Sequence, residues 1–287
     1  MKTIRCLLAG ALCATASAES GAGGLTPANY VEVGDTIVDM LDTSALAFST
    51  MLLGMSGAPH PILATFATPS ARVQPFSAPC PGGGSVSGSI RDRDASGDVS
   101  VHDRFVTEFD HCSIDNEIVG GSSEFEITAH RVVQEVETTE LAFRFHHLGS
   151  DAMRWTGSAK AVLHTDMKTG SEHYAVTYQD MTVTRKTQSY RWRFTLEMHR
   201  PPLGDHTAQI NGALLLDNVV LRLAQDDQFV LAPGGWPRSG QLTATDAQGD
   251  RLQVEAATRR YRYRFYDHAN RGDAPTSSSQ SKPHGAP

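Results

Sequence analysis

The sequence predicts a mainly β protein: an extended, curved antiparallel sheet of repeated hairpins, preceded by one amphipathic helix. Three observations carry that prediction. Beyond Gly84 apolar residues recur at every second position, most cleanly as Tyr190, Trp192, Phe194, Leu196 and Met198 against Arg191, Arg193, Thr195, Glu197 and His199. This is the signature of a strand with one buried and one wet face. The same alternation marks Leu141, Phe143 and Phe145, then Tyr174, Val176 and Tyr178, then Tyr261, Tyr263 and Phe265. Turn-forming clusters such as Gly149-Ser150-Asp151, Pro201-Pro202-Leu203-Gly204-Asp205 and Asp246-Ala247-Gln248-Gly249-Asp250 separate the runs, so that consecutive strands fold back on one another.

Residues 1–18 have the layout of a secretory signal peptide, with Lys2 and Arg5 ahead of the apolar run from Cys6 to Ala14 and the small residues Ala16, Ser17 and Ala18 at the cleavage position. The mature chain is expected to begin at Glu19 and to be periplasmic or secreted. The apolar run is too short to span a bilayer, and Leu12 ahead of Cys13 is bulkier than a lipoprotein signal wants. Neither a transmembrane segment nor a lipid anchor is therefore expected in the mature chain. Cleavage leaves Cys80 and Cys112, and a pair of cysteines in an exported chain reads as one disulfide. Cleavage also takes 25 basic against 32 acidic residues to 23 against 32, a net charge of −9, which argues against nucleic acid as a partner. With 40% hydrophobic residues, the chain can bury a sizeable core.

Leader, helix and connector occupy residues 19–83. Thr26-Pro27-Ala28-Asn29 opens the helix, with Thr26 as N-cap and Pro27 in the first turn, where a missing N–H is harmless. Val33, Ile37, Met40, Leu41, Phe48, Met51, Leu52 and Met55 then recur at helical spacing opposite Glu32, Asp35, Asp39 and Asp42, which predicts an amphipathic helix, or a broken pair, from about 27 to 55. Its methionine-rich stripe reads as core, with lipid or partner docking as the alternative. Pro59, Pro61, Pro69, Pro75, Pro79 and Pro81 make residues 57–83 a connector and not an element.

The sheet is assigned to residues 84–267. Within it Val86-Ser87-Gly88, Val119-Gly120-Gly121, Trp155-Thr156-Gly157 and Ile210-Asn211-Gly212 repeat a glycine near the opening of a strand, at irregular intervals that indicate hairpins on one curved sheet and not a solenoid. Residues 268–287 are polar, rich in Pro and Ser and without period, and are expected to be disordered. Arg271-Gly272-Asp273 there matches the integrin-binding tripeptide, a match short enough for chance to supply.

The candidate site is the acidic loop from Asp92 to Asp103, bracketed by the two cysteines. Calcium takes six to eight oxygen ligands, and a twelve-residue loop provides them from positions 1, 3, 5, 7, 9 and 12, with Gly at 6. Those positions are Asp92, Asp94, Ser96, the Asp98 carbonyl, Ser100 and Asp103, with Gly97 at the bend. Asp103 is one methylene shorter than the usual Glu and Ser96 is a poor stand-in for a carboxylate, so weak Ca²⁺ binding, about 0.1 to 1 mM, is expected. The flanks Val86 to Ile90 and Phe105 to Phe109 read as strands, which makes this a hairpin loop. The alternative is an ordinary Asp/Ser/Gly turn balanced by Arg91, Arg93 and Arg104.

Cys80, Gly83, Gly84, Asp92, Asp94, Gly97, Ser100, Asp103, Phe105, Phe109 and Cys112 together resemble a group of uncharacterised bacterial exported proteins and lipoproteins. Their pattern is a cysteine, a Gly-rich strand, an Asp-x-Asp-x-x-Gly loop and a Phe-rich strand closing on a second cysteine. His102 stands where those sequences carry Gly. The resemblance covers residues 80 to about 128 and implies export and a β-rich body, with no known activity.

Other chemistry is sparse. The twelve histidines fall in no recognised ligand spacing, and His146 and His147, adjacent in a strand, point to opposite faces unless a bulge intervenes. Neither a Gly-x-Ser-x-Gly elbow nor a phosphate-cradling loop occurs. Arg191 and Arg193, with Arg260, Arg262 and Arg264, would form a basic ladder for anionic glycan, lipid head group or an envelope protein if their strands were neighbours; pairing with Glu197 or Glu255 is the plainer expectation. No catalytic residue is assigned. The resulting expectation is a non-catalytic exported β protein with a binding or structural role, with a carrier of hydrophobic or amphipathic ligands and a hydrolase of envelope polymers as alternatives.

Overall fold

The computed structural model describes residues 24–38, 73–80, 82–96, 100–114, 117–150, 153–185, 188–216, 219–232, 237–257, 260–269, 275 and 277–280. The expected signal peptide, most of the methionine stripe and Arg271-Gly272-Asp273 lie outside these residues. Among these residues one helix, α1 (residues 30–38), precedes fourteen strands: β1 Val73–Pro79, β2 Ser85–Arg91, β3 Arg104–Ile114, β4 Glu117–Val133, β5 Val136–Gly149, β6 Met153–Asp166, β7 Ser171–Arg185, β8 Gln188–Arg200, β9 His206–Leu216, β10 Val219–Leu231, β11 Pro237–Thr245, β12 Arg251–Ala257, β13 Arg260–Tyr266 and β14 Ser277–Gln280. They form a single antiparallel sheet in strict sequence order that does not close.

The period-2 rows hold. Tyr190, Trp192, Phe194, Leu196 and Met198 are all at most 4% exposed, and they join the equivalent residues of β5, β7 and β13 in one apolar cluster reaching from β2 to β13. Register makes the packing specific: Phe105 opposes Phe125, Phe125 opposes Phe143, Phe143 opposes Ala159 and Ala159 opposes Tyr178. Small Ala159 sits where a further ring would crowd the row. Curvature is visible in Phe229 of β10 and Tyr261 of β13, whose ring centroids are 6.1 Å apart. On a flat sheet, strands three positions apart lie roughly 14 Å apart.

The bend has a local cause. Register shifts interrupt β3 at Asp110 and His111, β5 at His146 and His147, and β7 near Asp180, and His111, His147 and Asp180 each take positive φ. Such bulges bend the strand that carries them. The glycine echo of the sequence supplies the other half of the device. Gly121 lies against His147, Gly157 against Met181 and Gly212 against Arg193 and Phe194, all with positive φ. A Cβ on Gly212 would stand 2.4 Å from the Arg193 carbonyl oxygen. Gly212→Ala should therefore destabilise the fold by about 1–3 kcal/mol, read from urea unfolding, whereas Gly120→Ala, whose Cβ would meet nothing closer than the Phe109 carbonyl oxygen at 3.9 Å, should cost far less.

The helix is anchored by both ends of the chain's logic. Thr26 and Asn29 cap each other: the Asn29 N–H donates to Thr26 Oγ1 at 3.2 Å and the Thr26 N–H donates to Asn29 Oδ1 at 2.8 Å. Val33 and Ile37 are buried, and Gly34 presses so closely on the Tyr263 ring that a Cβ would come within 2.9 Å of it. Asp35, expected on the polar face, instead accepts a hydrogen bond from Tyr263 Oη at 2.8 Å. Buried Asp246 fastens the segment before the helix: its Oδ2 accepts from Leu25 N, while its Oδ1 accepts from Gln248 N and Asp250 N within the β11–β12 turn.

Both assigned ends of the sheet need correction. The sheet begins at Val73, inside the expected connector. In β1 Pro75 and Pro79 are exposed while Gln74, Phe76 and Ala78 are half-buried. Proline is tolerated in an edge strand because its missing N–H can face away from the ladder, so composition masked the alternation. At the other end, Ser277–Gln280 of the tail expected to be disordered pairs with β13 as β14.

Candidate metal centre

The acidic loop leaves β2 after Arg91 and re-enters the sheet at Arg104, a directly opposed pair. Alternation does the positioning. Ile90 is buried and Arg91 exposed, so the next residue, Asp92, falls on the core side; by the same count backwards from buried Phe105 and exposed Arg104, so does Asp103. Asp92 is 1% and Asp103 0% exposed. One carboxylate oxygen from each of Asp92, Asp94 and Asp103 lies within 4.8 Å of the others, so the group could hold a metal ion. Two buried carboxylates facing a third repel one another in poorly screened surroundings, and a cation or a proton offsets that repulsion.

Asp103 also closes the loop. Its Oδ1 accepts from Arg93 N at 2.9 Å and from the Ser100 hydroxyl at 3.1 Å, and its Oδ2 accepts from Ser100 N at 2.7 Å. A carboxylate has about four lone-pair positions. The bonds made by the described residues leave a position on Oδ2, through which Asp103 could meet a cation with a single oxygen, unlike the bidentate ligand of the usual twelfth position. Ser96 is exposed and gives its N–H to Asp94 Oδ1 at 3.1 Å. Hydrogen bonds from Ser96, side chain first and then backbone, hold the Asp94 carboxyl below its ordinary value of 3.8. That ionised form supports the folded loop above the ordinary value and stops doing so as the pH falls through the lowered one. Gly97, Asp98 and Val99 lie outside the described residues.

The far end of the loop is stitched to β4. His102 N–H donates to the Ile127 carbonyl at 2.7 Å and Ile127 N–H to the Asp103 carbonyl at 3.0 Å. His102 takes φ of 76°, the conformation for which glycine is suited, and its ring contacts Glu126 at 3.0 Å. Arg104, a candidate for balancing the loop acids, pairs with Glu124 at 2.7 Å instead. Cys80 and Cys112 form a disulfide that ties the end of β1 to β3 across β2. The loop therefore lies within a covalently closed segment, and the bond fits a non-cytoplasmic protein.

The arginine ladder does not assemble. β8 and β13 are separated by β9 to β12, so Arg191 and Arg193 lie far along the sheet from Arg260, Arg262 and Arg264. Arg193 pairs with Asp180 at the β7 bulge, Arg264 bridges to Glu255 at 2.7 Å, and Arg262 opposes Glu255 in register. The strand order that decides this leaves no mark on the local sequence. A bulge does occur at His146 and His147, both exposed, but among the described residues the only group of acid, histidine or cysteine ligands within such mutual reach is the aspartate one.

Fold and site define a disulfide-bridged protein built on one open antiparallel sheet, with a group of carboxylate oxygens at the β2–β3 end that could hold a metal ion. No protein-family model, curated protein or solved structure matches this chain. No helix among the described residues is long and apolar enough to cross a membrane.

Proposed function

We propose that the protein is a non-catalytic component of the bacterial envelope or extracellular space, periplasmic or secreted, with a binding or structural role, and that Ca²⁺ at Asp92, Asp94 and Asp103 locks the β2–β3 end of its sheet. The observation that carries the calcium reading is the convergence of three carboxylates, two of them buried, within 4.8 Å. Oxygen-only donors favour a hard cation over zinc or copper, and an exported protein meets millimolar Ca²⁺. Anionic glycan, lipid or an envelope protein are the partners considered.

With a Kd of about 0.1 to 1 mM, 10 mM Ca²⁺ should add roughly 1.4 to 2.7 kcal/mol of stability, or roughly 3 to 10 °C in Tm. Differential scanning fluorimetry of chelator-treated protein, with and without Ca²⁺, reads this directly. Asp92→Ala should erase the response. A wild-type Tm indifferent to Ca²⁺ would reduce the loop to a turn.

The carrier reading draws on the continuous aromatic face of the sheet, against which α1 lies at Tyr263. Native mass spectrometry of freshly purified protein tests it: a co-purifying lipid-sized mass supports a carrier, and a bare polypeptide mass removes it.

A further inference from the structure

On the outer face of the sheet three histidines fall into one row. His164 of β6 opposes His173 of β7, and His173 opposes His199 of β8. Directly opposed residues on adjacent strands project to the same side, with neighbouring Cβ atoms about 4.5–5.5 Å apart. The adjacent positions on these strands, Leu163, Tyr174 and Met198, belong to the apolar side, which puts the histidines outside. His173 and His199 are exposed and His164 is half-buried.

The His164 and His173 rings face each other with centroids 6.0 Å apart and planes 18° from parallel. A metal–imidazole bond is about 2.0–2.1 Å. An ion bound to one nitrogen of each ring can therefore be reached by side-chain rotation alone. His164 is already oriented: its Nδ1 is 3.0 Å from the hydroxyl of buried Thr138, leaving Nε2 directed away from that contact. A hydrogen bond to the second ring nitrogen is how proteins aim a ligating histidine. Glu197 lies on the same face two residues before His199, and its register partner is small Ala175, which leaves room beside His173.

We propose that His164, His173 and His199 form a binding site for a divalent transition-metal ion, Zn²⁺ or Cu²⁺ in type, on the outer face of β6 to β8, with Glu197 placed to supply an oxygen. Imidazole donors select borderline metals such as these over Ca²⁺, so the site is chemically separate from the aspartate loop and does not depend on it.

Isothermal titration of the mature protein with ZnCl₂, in a non-chelating buffer at pH 7.5 and saturating Ca²⁺, tests the assignment. His173→Asn, at an exposed position, should weaken binding at least tenfold, and His199→Asn should weaken it as well. His146→Asn combined with His147→Asn should leave it unchanged, as should Asp92→Ala. The proposal is overturned if the wild type takes up no Zn²⁺, if His173→Asn binds within threefold of the wild type, or if the loss follows the His146/His147 variant instead.

Discussion

Trp192→Ala is expected to lose about 3–5 kcal/mol of folding stability, seen as a shift of more than about 1 M in the urea midpoint. Trp192 is 1% exposed at the centre of β8; its ring stands edge-on to Tyr178 and tilted against Phe194, both centroids 5.4 Å away. Truncation removes the largest fully buried side chain among the described residues and both ring contacts, and the surrounding backbone is held by two neighbouring strands that cannot collapse into the gap. Trp192→Phe separates packing from polarity. The indole Nε1 is buried with no acceptor, so phenylalanine gives up ring volume but also removes an unpaired donor, and its loss should stay below about 2 kcal/mol. A loss under about 1 kcal/mol for Trp192→Ala would mean that β8 does not face the core.

The second large effect is at the disulfide. Replacing Cys80 and Cys112 together by serine should cost about 3–4 kcal/mol in the chain-entropy model, because it frees a segment with a sequence separation of 32 in the unfolded state. Both cysteines are buried, so serine adds a desolvation penalty in the folded state. The closed segment contains β2 and the aspartate loop, so the double variant should also show a smaller thermal response to Ca²⁺. Chemical unfolding with and without reductant measures the first effect. Unchanged stability on reduction would show that β1 is held by its ladder alone.

Much of this fold was legible because burial in a sheet is written in alternation. Tyr190 to Met198, Leu141 to Phe145, Tyr174 to Tyr178 and Tyr261 to Phe265 each declared a buried face, and the turn clusters between them declared the meander. The helix start was equally plain, since Thr26 and Pro27 are local signals. Elements whose composition contradicts their role were missed: β1 carries two prolines and β14 is nearly all serine, both acceptable only because they form the edges. Asp35 was assigned to water because helical periodicity measures the average side of a helix, whereas its contact is with one tyrosine hydroxyl from the other end of the chain.

For the site, the spacing of Asp92, Asp94 and Asp103 was available in the sequence, since ligands drawn from one loop are ordered by the chain itself. The burial of Asp92 and Asp103 was not, and it follows from the pleat of β2 and β3 continuing one residue into the loop. The arginines and histidines show the same division in opposite directions. A ladder of Arg191 and Arg193 with Arg260 to Arg264 depended on a strand order the sheet does not have, and Arg262 and Arg264 instead meet Glu255. His164, His173 and His199 were set aside for lack of spacing and were joined by register.

By itself, then, the sequence determined what is local: strand faces, turns, the helix cap, the pair of cysteines and the aspartate spacing, all of which depend on residues within a few positions of one another. Only the tertiary structure decided which strands are neighbours, how far the sheet bends and which side chains meet across it. Those depend on bulges and glycines such as His147 with Gly121, whose effect is to slide one strand against the next, and a shift of one residue in register changes every cross-strand partner while leaving the sequence pattern untouched.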